Sequence, residues 1–223
     1  MKVTNTQDFV ELTKIAESLG AKAATLEDVV QDVNAIILSI PFKAYKDLPK
    51  NLFRDVPQEV TIMDTSNYSP LRDGELEGLA GKTESEYISG ILGRPVVKAF
   101  NILLGHTLKH NGKAAGEKGR IAVSLAADNE QHKKIAAALV DQTGFDTVDG
   151  GSLALSWRHE PGTPAFCTEL NTAELKLALT EATRGTAPAR RDYIIDTLMK
   201  FERQPSHEEV VALMRSGSSG NLV

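Results

Sequence analysis

Residues 34–41 read Asn-Ala-Ile-Ile-Leu-Ser-Ile-Pro, an apolar run that ends in a serine and a proline. The run is short and rich in β-branched isoleucine, so it predicts a strand over residues 34–40 that is buried on both faces. Six similar runs alternate with amphipathic stretches along the chain. They cover residues 1–4, 21–24, 59–64, 95–100, 120–126 and 145–148. This alternation predicts an α/β fold with a mostly parallel sheet.

Helix start signals separate the predicted strands. Thr25, Thr83 and Asp128 each stand three positions before an acidic or amide residue, a spacing that favours a helix N-cap. The helix after Asp128 is expected to cover the sheet with one apolar face, made up of Ile135, Ala138, Leu139 and Gln142.

The pattern changes to helices alone after Pro164. Helices are predicted over residues 168–183, 188–201 and 206–215, the last opened by a capping box between Ser206 and Glu209. We therefore expect an α/β domain at 1–160, a helical segment at 161–215 and a flexible tail rich in glycine and serine at 216–223.

The composition narrows the class of protein. Of the 223 residues, 41% are hydrophobic and the net charge is -5, which gives no broad basic surface for nucleic acid or anionic lipid. The apolar runs are too short to cross a bilayer, and no signal-peptide pattern is visible. Cys167 is the only cysteine, which excludes an internal disulfide and fits the cytoplasm.

Polar or loop-forming residues follow three predicted strands. Ligands of open parallel sheets bind beyond the carboxyl ends of the strands, so these clusters are expected to converge on one crevice. Each cluster alone is typical turn chemistry, and it is their coincidence that favours a binding site. The clusters are Ser39-Ile40-Pro41-Phe42, Asp64-Thr65-Ser66-Asn67 and Lys98-Ala99-Phe100-Asn101.

A family resemblance rests on three stretches. The run Pro-Val-Val-Lys-Ala-Phe-Asn at 95–101 follows Glu-Ser-Glu-Tyr at 84–87 and precedes Gly-Gly-Ser-Leu-Ala at 150–154. Over about residues 1–160 the chain resembles the deazaflavin-dependent NADP oxidoreductases, which include the cytosolic domains of six-transmembrane metalloreductases. The resemblance implies a Rossmann-like fold that binds NADP or NAD and a small redox substrate, with a flavin or deazaflavin as one form of that co-substrate.

The resemblance also implies roles for individual residues. Thr4, Asn5 and Thr6 resemble the site of the adenosine ribose, where the family usually continues with arginine and this chain has Gln7. Ser39, Ile40 and Pro41 match a loop beside the pyrophosphate and the nicotinamide ribose. Residues around the nicotinamide would be Asp64, Ser66, Asn67, Lys98, Phe100 and Asn101.

Hydride transfer between two stacked rings needs their alignment more than it needs a catalytic acid or base. We accordingly expect binding residues and no catalytic pair. Lys98 is expected either to stabilise negative charge on a reduced ring or to be a solvated lysine at a strand end.

The main departure from the family is the absence of G-x-G-x-x-G from the sequence. The resemblance implies that about 25 to 30 family residues, comprising the first strand, the glycine loop and a helix, have no counterpart here. Two alternatives therefore stay open: a truncated remnant or interaction protein that binds no dinucleotide, and a different Rossmann dehydrogenase acting on a small hydroxy acid. A homodimer is one way to cover the C-terminal helices.

Other candidate residues carry weaker signals. His106 and His110 have the spacing of two metal ligands on a helix, but surface histidines are the favoured interpretation, and no metal site is expected. Cys167 stands in no recognisable motif. Trp157 is expected to pack in the core, with a substrate crevice as the alternative, and Asp149 and Glu160 to meet substrate or to face water.

Overall fold

Each of the seven predicted strand runs overlaps one strand of the structure. The protein was examined as a computed structural model that describes residues 1–216. The strands are β1 Lys2–Val3, β2 Lys22–Ala23, β3 Ala35–Leu38, β4 Thr61–Asp64, β5 Val97–Lys98, β6 Ala122–Leu125 and β7 Asp146–Asp149. The mixed α/β class is confirmed.

The strands are distributed over three short parallel sheets instead of one continuous sheet. Among residues 1–216 the orders are β1-β2, β3-β4-β5 and β6-β7. The second and third sheets meet where the backbone N–H and C=O groups of Lys98 and Ala126 bond to each other at 2.9 and 3.1 Å, as an antiparallel bridge. Because Lys98 ends β5 and Ala126 follows β6, the carboxyl ends of these strands face each other.

Helices occupy most of the connections between the strands. They are α1 Phe9–Ser18, α2 Leu26–Val29, α3 Pro70–Asp73, α4 Glu84–Leu92, α5 Gly105–His110, α6 Glu130–Gln142, α7 Thr172–Glu181, α8 Ala187–Met199 and α9 His207–Ser216. Two 3-10 helices, Phe42–Asp47 and Leu153–His159, lie beside them. None of the helices within residues 1–216 combines the length and apolarity that a membrane crossing requires.

Most of the predicted helix starts are confirmed. Thr25 caps α2, and Thr83 caps α4 through a complete capping box. The prediction for Asp128 was wrong, because Asn129 caps α6 by accepting the backbone N–H groups of residues 131 and 132. The Asp128 carboxylate instead accepts the backbone N–H of Leu153 at 2.9 Å.

The prediction of which α6 residues face the core was only partly right. Leu139 packs against the core, but Ala138 and Gln142 are exposed. The buried stripe is His132, Ala136 and Val140. His132 can be buried because its Nε2 atom lies 3.1 Å from the carbonyl oxygen of residue 58.

The three C-terminal helices lie where they were predicted. The Ser206–Glu209 capping box is present, with backbone-to-side-chain bonds of 2.7 and 3.2 Å. α7 adds Leu175 and Leu179 to the core of β6 and β7, whereas α8 and α9 meet in a smaller cluster around Cys167. The domain boundary at residue 160 stays a prediction, and the tail expected from Ser216 onward lies, after that residue, outside the described chain.

Candidate active site

The carboxyl ends of β4 and β5 form the centre of the candidate site. Asp64 and Lys98, the last residues of these strands, are register partners. The Lys98 Nζ atom lies 3.2 Å from Asp64 Oδ2 and also donates to the carbonyl oxygen of Ser66. Both side chains are completely buried. This ion pair therefore fixes the strand ends relative to each other from the inside of the protein.

Asp64 is surrounded by donors from three segments of the chain. It accepts hydrogen bonds from the Tyr45 hydroxyl at 2.8 Å, the Ser85 hydroxyl at 2.8 Å, and the Ser66 backbone and hydroxyl at 2.9 and 2.6 Å. Burial alone would raise the pKa of Asp64, but the Lys98 ammonium and the Ser66 and Ser85 donors outweigh it and hold the pKa below its usual value. Asp64 is thus an ionised buried carboxylate.

A second buried acid shares the same lysine. Glu84 Oε2 lies 3.4 Å from Lys98 Nζ, and the Glu84 backbone N–H donates to Glu160 at 2.8 Å. Burial raises the pKa of Glu84 to about 8, against the opposing pull of Lys98 and with a further rise from Glu160. Burial likewise raises the pKa of Glu160. At neutral pH the centre therefore holds Lys98 and Asp64 charged and Glu84 protonated.

A network of hydrogen bonds from the Asn67 and Asn101 side chains connects the loops that follow β4 and β5 with the second 3-10 helix. Asn101 Nδ2 donates to Asn67 Oδ1 at 3.1 Å and to the His159 carbonyl at 2.7 Å, and Asn67 Nδ2 donates back to the Asn101 carbonyl at 2.9 Å. His159 Nδ1 lies 2.7 Å from the Ser124 hydroxyl. Burial, aided by Lys98, lowers the pKa of His159 to about 3, so its ring is neutral.

Phe100 makes the turn that positions Asn101. It follows β5 with φ of 61°, a left-handed conformation that is rare for a residue with a bulky side chain. Such strain of about 1–3 kcal/mol is found mainly where the surroundings enforce it, often at functional sites. The Phe100 side chain is half-buried and packs against the core of β6 and β7.

The sequence-predicted residues of the strand ends therefore fall into two groups that differ in burial. Asp64, Ser66, Lys98 and Asn101 come together and are buried, whereas Ser39 and Pro41 are exposed and Ile40, Asn67 and Phe100 are half-buried. The expectation of a solvated Lys98 was wrong. Its ammonium group also has no exposed surface with which to contact a ring, so it supports the loops from beneath.

Thr4, Asn5 and Thr6 lie apart from this centre. They follow β1, whose small sheet has no backbone pairing with β3 in the described part of the chain. The Asn5 side chain bonds locally to Gln7 at 2.8 Å. Their proposed contact with an adenosine ribose stays a prediction.

Sequence reasoning missed several members of the buried centre. They are Tyr45, Ser85, Ser124, His159 and the buried role of Glu84. One signal was available, because Glu84 stands four residues before the buried Ile88 and so shares its inward helix face. The other partners are distant in sequence and leave no periodic signal.

The weaker candidates are placed as follows. The rings of His106 and His207 stack at 4.2 Å, and His207 pairs with Glu169. No group of three or more metal-ligand residue types within residues 1–216 is arranged to hold a metal. Cys167 is buried, and burial raises the pKa of its thiol to about 12, which makes it a weak nucleophile.

Trp157 differs from expectation, whereas the exposed Asp149 agrees with one of its two alternatives. Trp157 was expected in the core, but it is only half-buried, with the guanidinium groups of Arg158 and Arg184 each 5.7 Å from its ring centroid. Asp149 is exposed and paired with Lys133 at 3.0 Å. Glu160 faces the buried centre at its partly exposed edge.

Comparison with known proteins supports the resemblance. The family described as NADP oxidoreductase, coenzyme F420-dependent, matches residues 1–68. The protein YjhV of Escherichia coli (strain K12) is 36% identical over 107 residues, which cover 48% of this chain and 78% of YjhV.

Solved structures agree in fold. The protein SMa0349 of Sinorhizobium meliloti has a TM-score of 0.61 at 26% identity, covering 76% of this chain and 82% of its own. The glycerol-3-phosphate dehydrogenase GPD1 of Saccharomyces cerevisiae has a TM-score of 0.51 at 12% identity, covering 96% of this chain and 67% of its own, which supports the dehydrogenase-like fold alone. The chain therefore belongs to the coenzyme F420-dependent NADP oxidoreductase family.

Proposed function

We propose that this protein is an NAD(P)-dependent oxidoreductase that transfers hydride between a nicotinamide and a flavin-like or other small acceptor. The observation that carries the proposal is the closed Asp64–Lys98 centre, because it anchors the loops after β4 and β5 without presenting a charge to solvent. Transfer between two rings depends on orientation and exclusion of water, which a rigid, neutral support favours. Family membership indicates the chemical class of the acceptor and does not identify the molecule.

The residues at the strand ends fit the nicotinamide end of a dinucleotide. Asn101 Oδ1 is buried and has no hydrogen-bond donor among residues 1–216, and it adjoins the half-exposed Asn67. A nicotinamide carboxamide offers an N–H donor of the required kind, once the Asn67 side chain gives way. A bound nicotinamide supplies or accepts the hydride. Phe100 and Ile40 would shield it from water, and Ser39 would meet its ribose.

The residues do not supply a cradle for the pyrophosphate. In this fold that group lies on the backbone N–H groups of a glycine loop and the first turn of the following helix. The sequence has no G-x-G-x-x-G. We therefore expect the 223-residue chain by itself to bind NADPH or NADH very weakly, since even two lost charge-assisted bonds of about 1.5–3 kcal/mol each weaken a micromolar complex by several powers of ten.

A second candidate function is an interaction protein that binds no dinucleotide. The observation that favours it is the separation of β1-β2 from β3-β4-β5 among the described residues. The Rossmann strand order places a further strand between those two groups. Without such a strand, β1 and β3 each keep an edge whose backbone groups have no strand partner, and Ile37 of β3 is 51% exposed.

Calorimetric titration of NADPH and NADH distinguishes these functions. The ligands are titrated into the 223-residue chain and into a version extended at its amino end by an apolar strand, a G-x-G-x-x-G loop and a helix. The matched control carries the same extension with alanines in place of the three glycines. We expect binding only with the intact glycine loop. Tight binding by the 223-residue chain would contradict the weak-binding prediction, and no binding by any version would favour the interaction protein.

A further inference from the structure

A cavity of about 420 Å³ opens at the carboxyl end of β7, and none of its lining residues belongs to the Asp64–Lys98 centre. Its floor is the Gly150–Gly151 turn, and its walls come from Leu155 of the second 3-10 helix and Leu179 of α7. This volume lies within the range of about 300–1,000 Å³ that small-molecule sites occupy.

The cavity carries positive charge that the protein does not neutralise. Arg158 and Lys176 line it, and neither has a carboxylate within ion-pair distance among residues 1–216. Asp149, the acid in the lining, is already paired with Lys133 at 3.0 Å and with the Gly151 N–H at 2.8 Å. In a chain of net charge -5, two such unpaired cations around one cavity favour an anionic ligand.

Trp157 extends this positive region. The guanidinium groups of Arg158 and Arg184 both lie over its half-buried ring, with each guanidinium carbon 5.7 Å from the ring centroid. Stacking of this kind orients a guanidinium group while leaving its N–H donors available. Arg158 thus reaches the cavity already oriented, which lowers the entropy lost when it binds an anion.

The cavity lies next to the loops proposed to hold the nicotinamide. A Cβ atom at Gly150 would lie 3.6 Å from His159 Nε2, and the His159 carbonyl accepts a hydrogen bond from Asn101 at 2.7 Å. One buried residue therefore separates the cavity floor from Asn101. A molecule with its anionic group in the cavity could place a connected ring near the strand ends.

We infer that this cavity binds a phosphate or carboxylate group of the hydride acceptor, through Arg158 and Lys176. The identity of the ligand as the acceptor rests on the proposed function, whereas the anion site rests on the cavity and its unpaired cations. The same cations would also bind a free anion such as inorganic pyrophosphate. The test therefore compares a phosphate attached to a ring system with a free anion.

The test compares FMN with riboflavin, which share a ring system and differ by one phosphate, and adds inorganic pyrophosphate as a free anion. Binding is measured by calorimetry and by the emission of Trp157, the one tryptophan of the chain. We expect FMN to bind at least about tenfold more tightly than riboflavin, equivalent to about 1.4 kcal/mol. Pyrophosphate should compete with FMN and leave riboflavin binding unchanged, because it occupies only the cationic part of the site.

Two charge-removing variants and one control complete the design. Arg158→Gln and Lys176→Gln should each lower FMN affinity about tenfold, toward that of riboflavin. Lys134→Gln, which removes an exposed lysine of α6 outside the cavity, should have no effect. Circular dichroism checks that all three variants fold.

Equal affinities for FMN and riboflavin, no competition by pyrophosphate, or an equal loss in the Lys134→Gln control would each overturn the inference. The outcomes also separate it from the proposed function. If the extended chain binds dinucleotide but FMN and riboflavin bind equally, the anion site is contradicted and the proposed oxidoreductase function is retained. Phosphate discrimination without dinucleotide binding by any version would retain the anion site and remove its link to hydride transfer.

Discussion

Replacing Glu84 with glutamine should make the protein more stable at neutral pH. The Glu84 carboxyl is buried beside Lys98 and Glu160, and burial raises its pKa from 4.5 to about 8. Between these two pH values the folded protein keeps a proton that the unfolded chain releases. Stability therefore falls as pH rises from 4.5 to 8, because the folded state binds more protons there.

The size of the effect follows from that interval. At about 1.4 kcal/mol per pH unit, the wild-type protein loses about 3 kcal/mol of stability from this group between pH 4.5 and pH 7. Glu84→Gln resembles the protonated acid in shape and cannot ionise. The variant should thus be about 3 kcal/mol more stable than wild type at pH 7 and nearly equal to it at pH 4.5, which corresponds to a Tm increase of about 6–12 °C at pH 7 for a chain of this size.

Urea unfolding between pH 4.5 and pH 8.5, followed by Trp157 emission and circular dichroism, measures the difference. Glu77→Gln, at an exposed position, is the control and should follow the wild-type curve. If Glu84→Gln kept the wild-type dependence on pH, or was destabilised equally at every pH, Glu84 would not be the protonated group and the neutral centre described above would be incorrect.

Three further predictions concern the buried centre, the C-terminal helices and the cofactor. Lys98→Met should destabilise the protein by about 3–5 kcal/mol in urea unfolding at pH 7, because it leaves Asp64 ionised, buried and unpaired; a loss below about 1 kcal/mol would argue against that ion pair. Gly162→Ala should cost more stability than Gly185→Ala in thermal unfolding: both glycines have positive φ, at 92° and 88°, but only at residue 162 would a Cβ atom meet backbone, so equal losses would contradict the steric argument. In the extended chain, Gln7→Arg should raise the affinity for NADPH over NADH by about tenfold or more, through one charge-assisted contact of about 1.5–3 kcal/mol; an unchanged ratio by calorimetry would remove residues 4–6 as the ribose site.

Local sequence signals were sufficient to locate the strands. The run at 34–40 is apolar, β-branched and bounded by turn residues, and β3 lies inside it. The hydrogen-bonded parts are shorter than the runs, as at 95–100, where only Val97–Lys98 pairs with β4, because Phe100 turns the backbone into the left-handed region. The division into three sheets depends on pairing between distant segments, and local patterns do not encode it.

In the candidate site, too, local sequence patterns predicted some features, and others depended on residues distant in the sequence. The three strand-end clusters were recognisable because turn residues follow apolar runs. Which of their side chains would be buried depended on Glu84 and Tyr45, which lie 14 and 53 positions from Lys98 in the sequence. A lysine at a strand end is ordinarily solvated, and only the acids brought in by α4 and β4 make its burial possible.

Lys98 joins two parts of the protein through different atoms. Its ammonium group holds β4 and α4, while its backbone N–H and C=O pair with Ala126 at the end of β6. Local opening of either sheet at this point would break the contacts of the other. We therefore expect the amide protons of Lys98 and Ala126 to exchange with solvent only when the two sheets unfold together, so that the pair of sheets behaves as one cooperative unit in hydrogen exchange.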